Sequence, residues 1–279
     1  MKEKGMKLVF LLAASVSILA VAFICFFLFA NGLPAIKEIG ILDFLFGKTW
    51  RPGNDLYGIF PMIIGSLCVT GGAILIGVPV GVFTAVFLAK YCPKKLYTFM
   101  KPAVDLLAGI PSVIYGFFGL VVIVPYVRNY IGGDGNSMLT ASILLGIMIL
   151  PSIISVSETA IRAVPGSYYD GALALGATRE RSMFFAVLPA AKSGIFAGVI
   201  LGIGRAIGET MAVMMVAGNQ ARLPEGILEG VRTLTSNIVM EMGYATDLHR
   251  GALIATGVVL FVFILIINLL FSMVKRKVN

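Results

Sequence analysis

Six apolar stretches dominate the pattern of the chain: residues 8–30, 61–88, 103–126, 138–156, 193–217 and 252–274. Each is long enough for a helix to cross the hydrocarbon layer of a bilayer, which takes about 20 residues. The runs are continuous rather than alternating at every second position, which argues against a membrane β-barrel. The predicted fold class is an all-α integral membrane protein with six transmembrane helices. The first stretch follows Lys2, Lys4 and Lys7, as the core of a secretory signal does. It outlasts the roughly 7–15 apolar residues of such a core, and its Phe-rich end (Phe26, Phe27, Phe29) makes a poor cleavage site. A retained first helix is expected. Pro79, Pro111 and Pro125 predict bends in the second and third spans.

Composition agrees with that picture. The 279 residues are 58% hydrophobic and only 13% charged, with a mean hydropathy of +0.97, against about 25% charged in soluble domains. Charge adds an orientation. With both termini in the cytoplasm, the inside segments are the N-terminus, 90–101, 158–192 and the tail at 275–277. They hold fourteen of the 22 Lys and Arg residues, and the outside segments hold seven. Cationic loops stay inside, so both termini are predicted to be cytoplasmic. The net charge of +8 then reports topology and attraction to anionic membrane lipid, not nucleic-acid binding.

Little here suggests an enzyme. Cys25, Cys68 and Cys92 lack metal-ligand spacing, and His249 is the only histidine, so no metal site or catalytic triad is expected. No Gly-x-x-x-x-Gly-Lys-Ser/Thr loop occurs, so any ATP hydrolysis belongs to another chain. No cofactor is predicted. Among the outside loops, Thr49, Trp50, Arg51 and Pro52 read either as an interfacial aromatic anchor or as a docking surface. In the third loop, residues 225–235 could form a short surface helix. Asp105 and Lys101 are expected to pair at the inner surface.

The remaining cation, Arg205, lies within the fifth apolar stretch, and Glu209 follows one helical turn later. A charge at the centre of a bilayer costs about 2.5–3.5 kcal/mol on insertion scales, so such residues face a protein interior or a polar path. On a continuous helix, Gly194, Gly198, Gly202, Arg205 and Glu209 share one face. Small residues at that spacing admit a neighbouring helix closely. The face is expected to look toward a partner subunit and line a path; a neutral internal strut is the alternative. The Arg205 guanidinium suits an oxyanion, to which it can donate two parallel hydrogen bonds. Glu209 can accept a proton from an oxyanion that still carries one, which would disfavour a fully ionised oxyanion.

The inside loop 158–192 contains a second pattern. Pro165 and Gly166 open it, and Gly176 followed by Ala177, Thr178 and Arg179 reads as a helix end, a turn and a new helix start. Either a short lever helix or a plain connector fits.

At this loop the chain resembles ABC importer permeases. Asp170, Gly171 and Ala172, then Gly176, then Leu188 and Pro189 match the spacing of their EAA motif, with Asp170 in place of Glu and Gly171 in place of Ala. Ala108–Leu120 and Gly204–Val213 are similar to two blocks of the phosphate-specific importer permeases. The second block, with Gly204, Arg205, Ala206, Ile207, Gly208, Glu209, Thr210 and Met211, looks like their C-type subunit. The resemblance implies a six-helix permease of the type I kind, with residues 1–56 as an added helix and outer loop and 57–279 as the permease domain. It also implies an A-type partner permease, two copies of a cytoplasmic ATPase that dock on loop 158–192, and an extracytoplasmic phosphate-binding protein. Arg205, Glu209 and Thr210 would line the path, in a bacterial or archaeal cell membrane. A permease for molybdate, sulfate or phosphonate is the alternative within this class, and an ATP-independent secondary transporter is the alternative outside it.

Overall fold

The computed structural model describes the backbone of residues 2–278 and the side chains of residues 5–270 and Met273. Lys2, Lys4 and the tail cations at 275–277, used in the orientation count, lie outside the described side chains. Six helical stretches are long and apolar enough to cross a membrane. The first is α1 (Lys2–Ile39), which runs past its apolar segment and leads into the short α2 (Ile41–Phe46). A two-stranded hairpin follows, β1 (Trp50–Arg51) and β2 (Leu56–Tyr57), antiparallel with Trp50 opposite Tyr57.

The second crossing is α3 (Phe60–Val86), extended by a π turn at Phe87–Tyr91. Next comes α4 (Lys94–Gly109), almost entirely exposed, with Val104 its one buried residue. It is amphipathic, and it ends at Ile110 and Pro111, where the backbone is extended. The third crossing therefore starts at Ser112 rather than at residue 103. It consists of α5 (Ser112–Phe118), a π turn at Gly119–Ile123 and α6 (Val124–Tyr130). Pro111 breaks the segment outright, because proline restricts the residue before it to extended backbone. Pro125 lies inside this continuous helical stretch, directly after the π turn that interrupts the regular ladder.

The centre of the molecule is α7 (Met138–Arg162), the most buried of the six crossings. Helix α3 runs parallel to it at very close range. A Cβ on Gly72 would meet Ser142, one on Gly77 would meet Gly146 and Ile149, and one on Gly81 would meet Ile153, all within 3 Å. Small residues give helices in lipid the close van der Waals contact that a hydrophobic effect cannot supply there. On another side of α7 lies α10 (Leu188–Gly208), antiparallel to it. Between these two come α8 (Gly166–Ala174), α9 (Arg179–Ser182) and a third π turn at Met183–Val187.

Helix α10 does not continue to residue 217. It stops at Gly208; Glu209 is extended (φ −70°, ψ 133°), and a separate helix α11 (Met211–Val216) begins after Thr210. In the loop between the fifth and sixth crossings the helix is α12 (Leu234–Glu241), later than the segment 225–235 expected to be helical. Thr233 caps it, accepting a hydrogen bond from the Ser236 N–H, which sets the start nine residues later than composition suggested. The last crossing, α13 (Asp247–Val278), packs antiparallel on α1. Gly32 sits against Ala255 and Val258, Ala35 against Gly251, and Phe29 meets Phe261 edge-on at 5.9 Å. Ala35, Phe44 and Trp50 thus share a core with Leu234, Ala252 and Leu253 of the C-terminal part.

Candidate functional site

The glycine repeat of α10 is occupied within the chain. A Cβ on Gly194 would lie 2.3 Å from the Cβ of Ala160, one on Gly198 would lie 3.1 Å from Ser157 Oγ, and one on Gly202 would lie 2.9 Å from Ile153 Cγ1. These three residues pack α10 onto α7, so their face does not look toward a partner subunit. The neighbouring face, with Leu201, Gly204 and Gly208, is exposed, and nothing approaches either glycine. Arg205 lies at the border between the two faces and is half-buried. Among the described residues, its guanidinium has no hydrogen-bond or ion-pair partner.

The helix break separates Arg205 from Glu209. The two side chains form no ion pair among the described residues, because Glu209 has left the helix. Its Oε1 instead accepts a hydrogen bond of 3.1 Å from the Ala212 N–H. That caps the start of α11, where orphan N–H groups favour a carboxylate. The Glu209 backbone carbonyl accepts from the Thr235 hydroxyl at 3.0 Å. Thr210 is half-buried, with its hydroxyl 3.3 Å from the Gly208 carbonyl. Arg205, Glu209 and Thr210 therefore flank the interruption that ends the fifth candidate crossing at Gly208.

The block 108–120 closes on the same place. A Cβ on Gly116 would lie 3.0 Å from the Ala212 Cα and 2.7 Å from Met215 Sδ, and one on Gly119 would lie 2.9 Å from Val216. Helix α5 thus rests directly on α11. Across the break at Pro111, the Tyr115 hydroxyl donates to the Leu107 carbonyl at 2.8 Å. Two segments distant in sequence meet with an interrupted helix on each side.

The loop 158–192 has its own geometry. Helix α8 is wholly solvent-exposed or partly so, with Asp170 and Gly171 outward and Ala172 half-buried. It ends at Gly176, whose φ of +85° only glycine adopts cheaply. The Gly176 N–H donates to Leu173 O (2.9 Å) and the Ala177 N–H to Ala172 O (3.1 Å). This is the paired bonding of a Schellman ending. Thr178 then caps α9 by accepting from the Arg181 N–H. Leu175, at the turn, is 92% exposed. Leu188 and Pro189 open α10. Met183, Val187 and Ala191 pack with Val86 and Ile161 in a small core that Tyr169 and Leu188 join, and Lys90 Nζ lies 4.3 Å from the Tyr169 ring centre. The loop is a packed structure rather than a free connector.

Two polar clusters escaped the sequence reading. Glu158, 2% exposed, accepts from Tyr97 Oη and Arg162 Nε, each at 2.8 Å, and lies 3.4 Å from Lys101. Lys101 also pairs with Asp105 at 3.1 Å, the pair expected at the inner surface, and Arg162 donates to the Leu88 carbonyl in the π turn. Burial lowers the pKa of the Lys101 ammonium, but the hydrogen bond to Asp105 and then the Glu158 charge outweigh it, so the net direction is upward. Tyr97 is raised as well, first by its hydrogen bond to Glu158 and then by burial. At the other end of the bundle, buried Glu241 accepts from Trp50 Nε1 (2.8 Å) and Arg232 Nη1 (2.6 Å), and His249 Nε2 lies 2.8 Å away. Trp50 is thus buried and bonded within the chain, so it is not an interfacial anchor facing lipid. His249 is a partner of Glu241 rather than an isolated histidine.

With the geometry in place, the comparisons with known proteins decide the family. Residues 77–279 match the family described as binding-protein-dependent transport system inner membrane component. The chain belongs to this permease family. A probable ABC transporter permease of Bacillus subtilis, YqgH, is 39% identical over 95% of this chain and 89% of its own length. The phosphate transport system permease protein PstC of Mesorhizobium japonicum is 35% identical over 86% of this chain and 80% of its own length. A probable PstC of Methanocaldococcus jannaschii is 33% identical over 88% and 84%. The fold matches solved importers. A methionine ABC transporter in inward-facing form superposes with a TM-score of 0.65, covering 83% of this chain and 100% of the other, at 20% identity. A bacterial alginate ABC transporter in complex with its periplasmic protein gives 0.65, covering 99% and 97%, at 19% identity. The six-helix fold is therefore that of type I ABC importer permeases, and the chain is a multi-pass transporter subunit of the cell membrane rather than an enzyme.

Proposed function

We propose that this permease is the C-type membrane subunit of an ATP-driven inorganic phosphate importer. The observation that carries the reading is Arg205, a half-buried guanidinium with no hydrogen-bond or ion-pair partner among the described residues, beside the helix break that ends the fifth crossing. An unpaired cation in that setting is costly and is neutralised when an oxyanion accepts its planar donors. Similarity to several PstC permeases supports phosphate as that oxyanion.

In this reading Arg205 binds the ion, Thr210 adds a hydroxyl beside it, and Glu209 sets the shape of the break. The Glu209 carboxylate, engaged on α11 through Oε1, keeps a second oxygen that can accept a proton from phosphate. Both termini lie in the cytoplasm, as the distribution of Lys and Arg favours. Residues 57–279 act as the permease unit, and 1–56 as an added helix and outer loop. The partners are an A-type permease, two copies of a cytoplasmic ATPase and an extracytoplasmic phosphate-binding protein. The ATPase docks on loop 158–192, where Asp170, Gly171 and Ala172 lie on α8 and Leu175 offers an exposed apolar contact. Leu188 and Pro189 pass the movement to α10, and hence to Arg205 at its far end.

The test is labelled phosphate uptake in a transport-deficient host that co-expresses the four kinds of subunit. Arg205→Ala is expected to assemble normally and to lose uptake by at least about 100-fold, the scale of a charge-assisted bidentate contact. Undiminished uptake in an assembled complex would remove Arg205 from the path.

A further inference from the structure

Helix α12 is short, but each of its ends is tied to a different part of the molecule. At its N-terminus the Thr235 hydroxyl, 7% exposed, donates to the carbonyl of Glu209 in the break between α10 and α11. Thr233 Oγ1, 3.1 Å from Thr235 Oγ1, donates to Ser236 Oγ, and the Leu234 N–H donates to Ser66 Oγ on α3. At the C-terminus, Glu241 joins Trp50 of the hairpin, His249 of α13 and Arg232. Arg232 also donates through Nε to the Asn219 carbonyl, and the Asn219 amide donates to the Met214 carbonyl at the end of α11. Helix α11 is therefore held at its far end through Asn219 and Arg232, and at its near end through Thr235.

The Thr235 bond differs in kind from the rest. The other contacts join loops and helices of the outer end to one another. This one alone, among the described side chains of α12, reaches the interrupted backbone between Arg205 and Thr210. An extended residue between two helices has few backbone bonds of its own, so a hydrogen bond to its carbonyl fixes the direction in which α11 leaves α10.

We infer that Thr235 is a positioning residue for translocation: through the Glu209 carbonyl it sets the break beside Arg205 according to the position of the Trp50–Arg232–Glu241–His249 cluster. It does not touch the transported ion. A displacement of the hairpin, as when a protein docks on that end, moves α12 as a unit and reaches the path through this one hydroxyl. The inference rests on the reading of Arg205 as the path residue.

The test uses the complete transporter in lipid vesicles, with the ion-loaded binding protein added outside. Thr235→Val keeps the shape and removes the hydroxyl; Thr235→Ser keeps the hydroxyl. Thr235→Val is expected to preserve assembly and basal ATPase activity while stimulation by the binding protein and maximal uptake fall about tenfold, the effect of one lost buried hydrogen bond. The concentration of binding protein at half-maximal uptake should stay unchanged, and Thr235→Ser should restore the parent rate. A merely structural role would lower assembly and basal activity together. Parent-like stimulation in Thr235→Val, or failure of Thr235→Ser to restore it, would overturn the inference. A second readout is independent of the ion carried. In a background where Cys25, Cys68 and Cys92 are replaced by Ser, the rate of thiol labelling at Thr210→Cys should change severalfold on adding Thr235→Val. If the parent transports no phosphate yet this labelling changes, the phosphate reading fails and the positioning role stands; an unchanged labelling rate overturns the role.

Discussion

Gly194 and Gly204 lie on the same helix and carry opposite expectations for substitution. At Gly194 any side chain meets Ala160 at 2.3 Å, on a rigid neighbouring helix. Gly194→Val should destabilise the protein by about 1–3 kcal/mol or more, the cost of overpacking a tight contact. At Gly204 nothing lies within 4 Å, so Gly204→Ala should be neutral or gain about 0.5–1 kcal/mol from reduced backbone freedom. Thermal unfolding of the two variants in detergent, side by side, checks both. The pair around Glu158 makes a pH prediction. Lys101 and Tyr97 both have pKa values raised above the ordinary 10.5 and 10.0. Groups with raised values contribute stability fully below their unfolded pKa and lose it as pH rises through the folded one. The hold of α4 on α7 should thus be constant through neutral pH and weaken only above about pH 10, read as faster proteolysis within 94–109. Residue-level chemistry was only partly legible in the sequence. The Lys101–Asp105 pair was readable because its members are one helical turn apart. The bonds from Tyr97 and Trp50 were not, because nothing local marks a partner 61 or 191 positions away.

Among the elements, the loop 158–192 was the most readable and the fifth crossing the least. The end of α8 at Gly176 and the start of α9 after Thr178 follow from local rules alone: glycine for positive φ, threonine for a free N–H. The space around Gly176 is open, so the effect of substituting it comes entirely through backbone conformation. Gly176→Val should cost about 1–2 kcal/mol locally and lower uptake per ATP hydrolysed, while Gly176→Asn, which tolerates this conformation, should be milder; coupled uptake and hydrolysis assays distinguish the two. The break after Gly208 has no such marker. Glu209 and Thr210 are ordinary helix residues, and the interruption is stabilised by contacts from elsewhere, namely Thr235 on the carbonyl and α5 against α11. A helical wheel through residues 193–217 puts Glu209 beside Arg205, one turn on, whereas the break after Gly208 turns its side chain onto α11. In contrast, the break before α5 follows from Pro111, although its severity depends on α4 leaving the direction of the crossing altogether.

For the whole molecule, hydropathy sufficed to count the crossings and composition sufficed to assign the class. Their arrangement came from neither. That α3 and α7 run parallel and in contact, with the third crossing displaced to reach α11, depends on glycines whose partners lie about 70 residues away along the chain. The antiparallel pairing of α1 with α13 depends on still longer separations. It has a consequence for how the protein is made. Gly32 and Ala35 rest on Ala255 and Gly251, so α1 finds its seat only when α13 has been synthesised. At about 5–20 residues per second, the intervening chain takes roughly 10–45 s to emerge. Throughout that interval α1 must be held by lipid or by the insertion machinery, and a truncated chain, lacking α13, leaves its small-residue face bare for quality control to recognise.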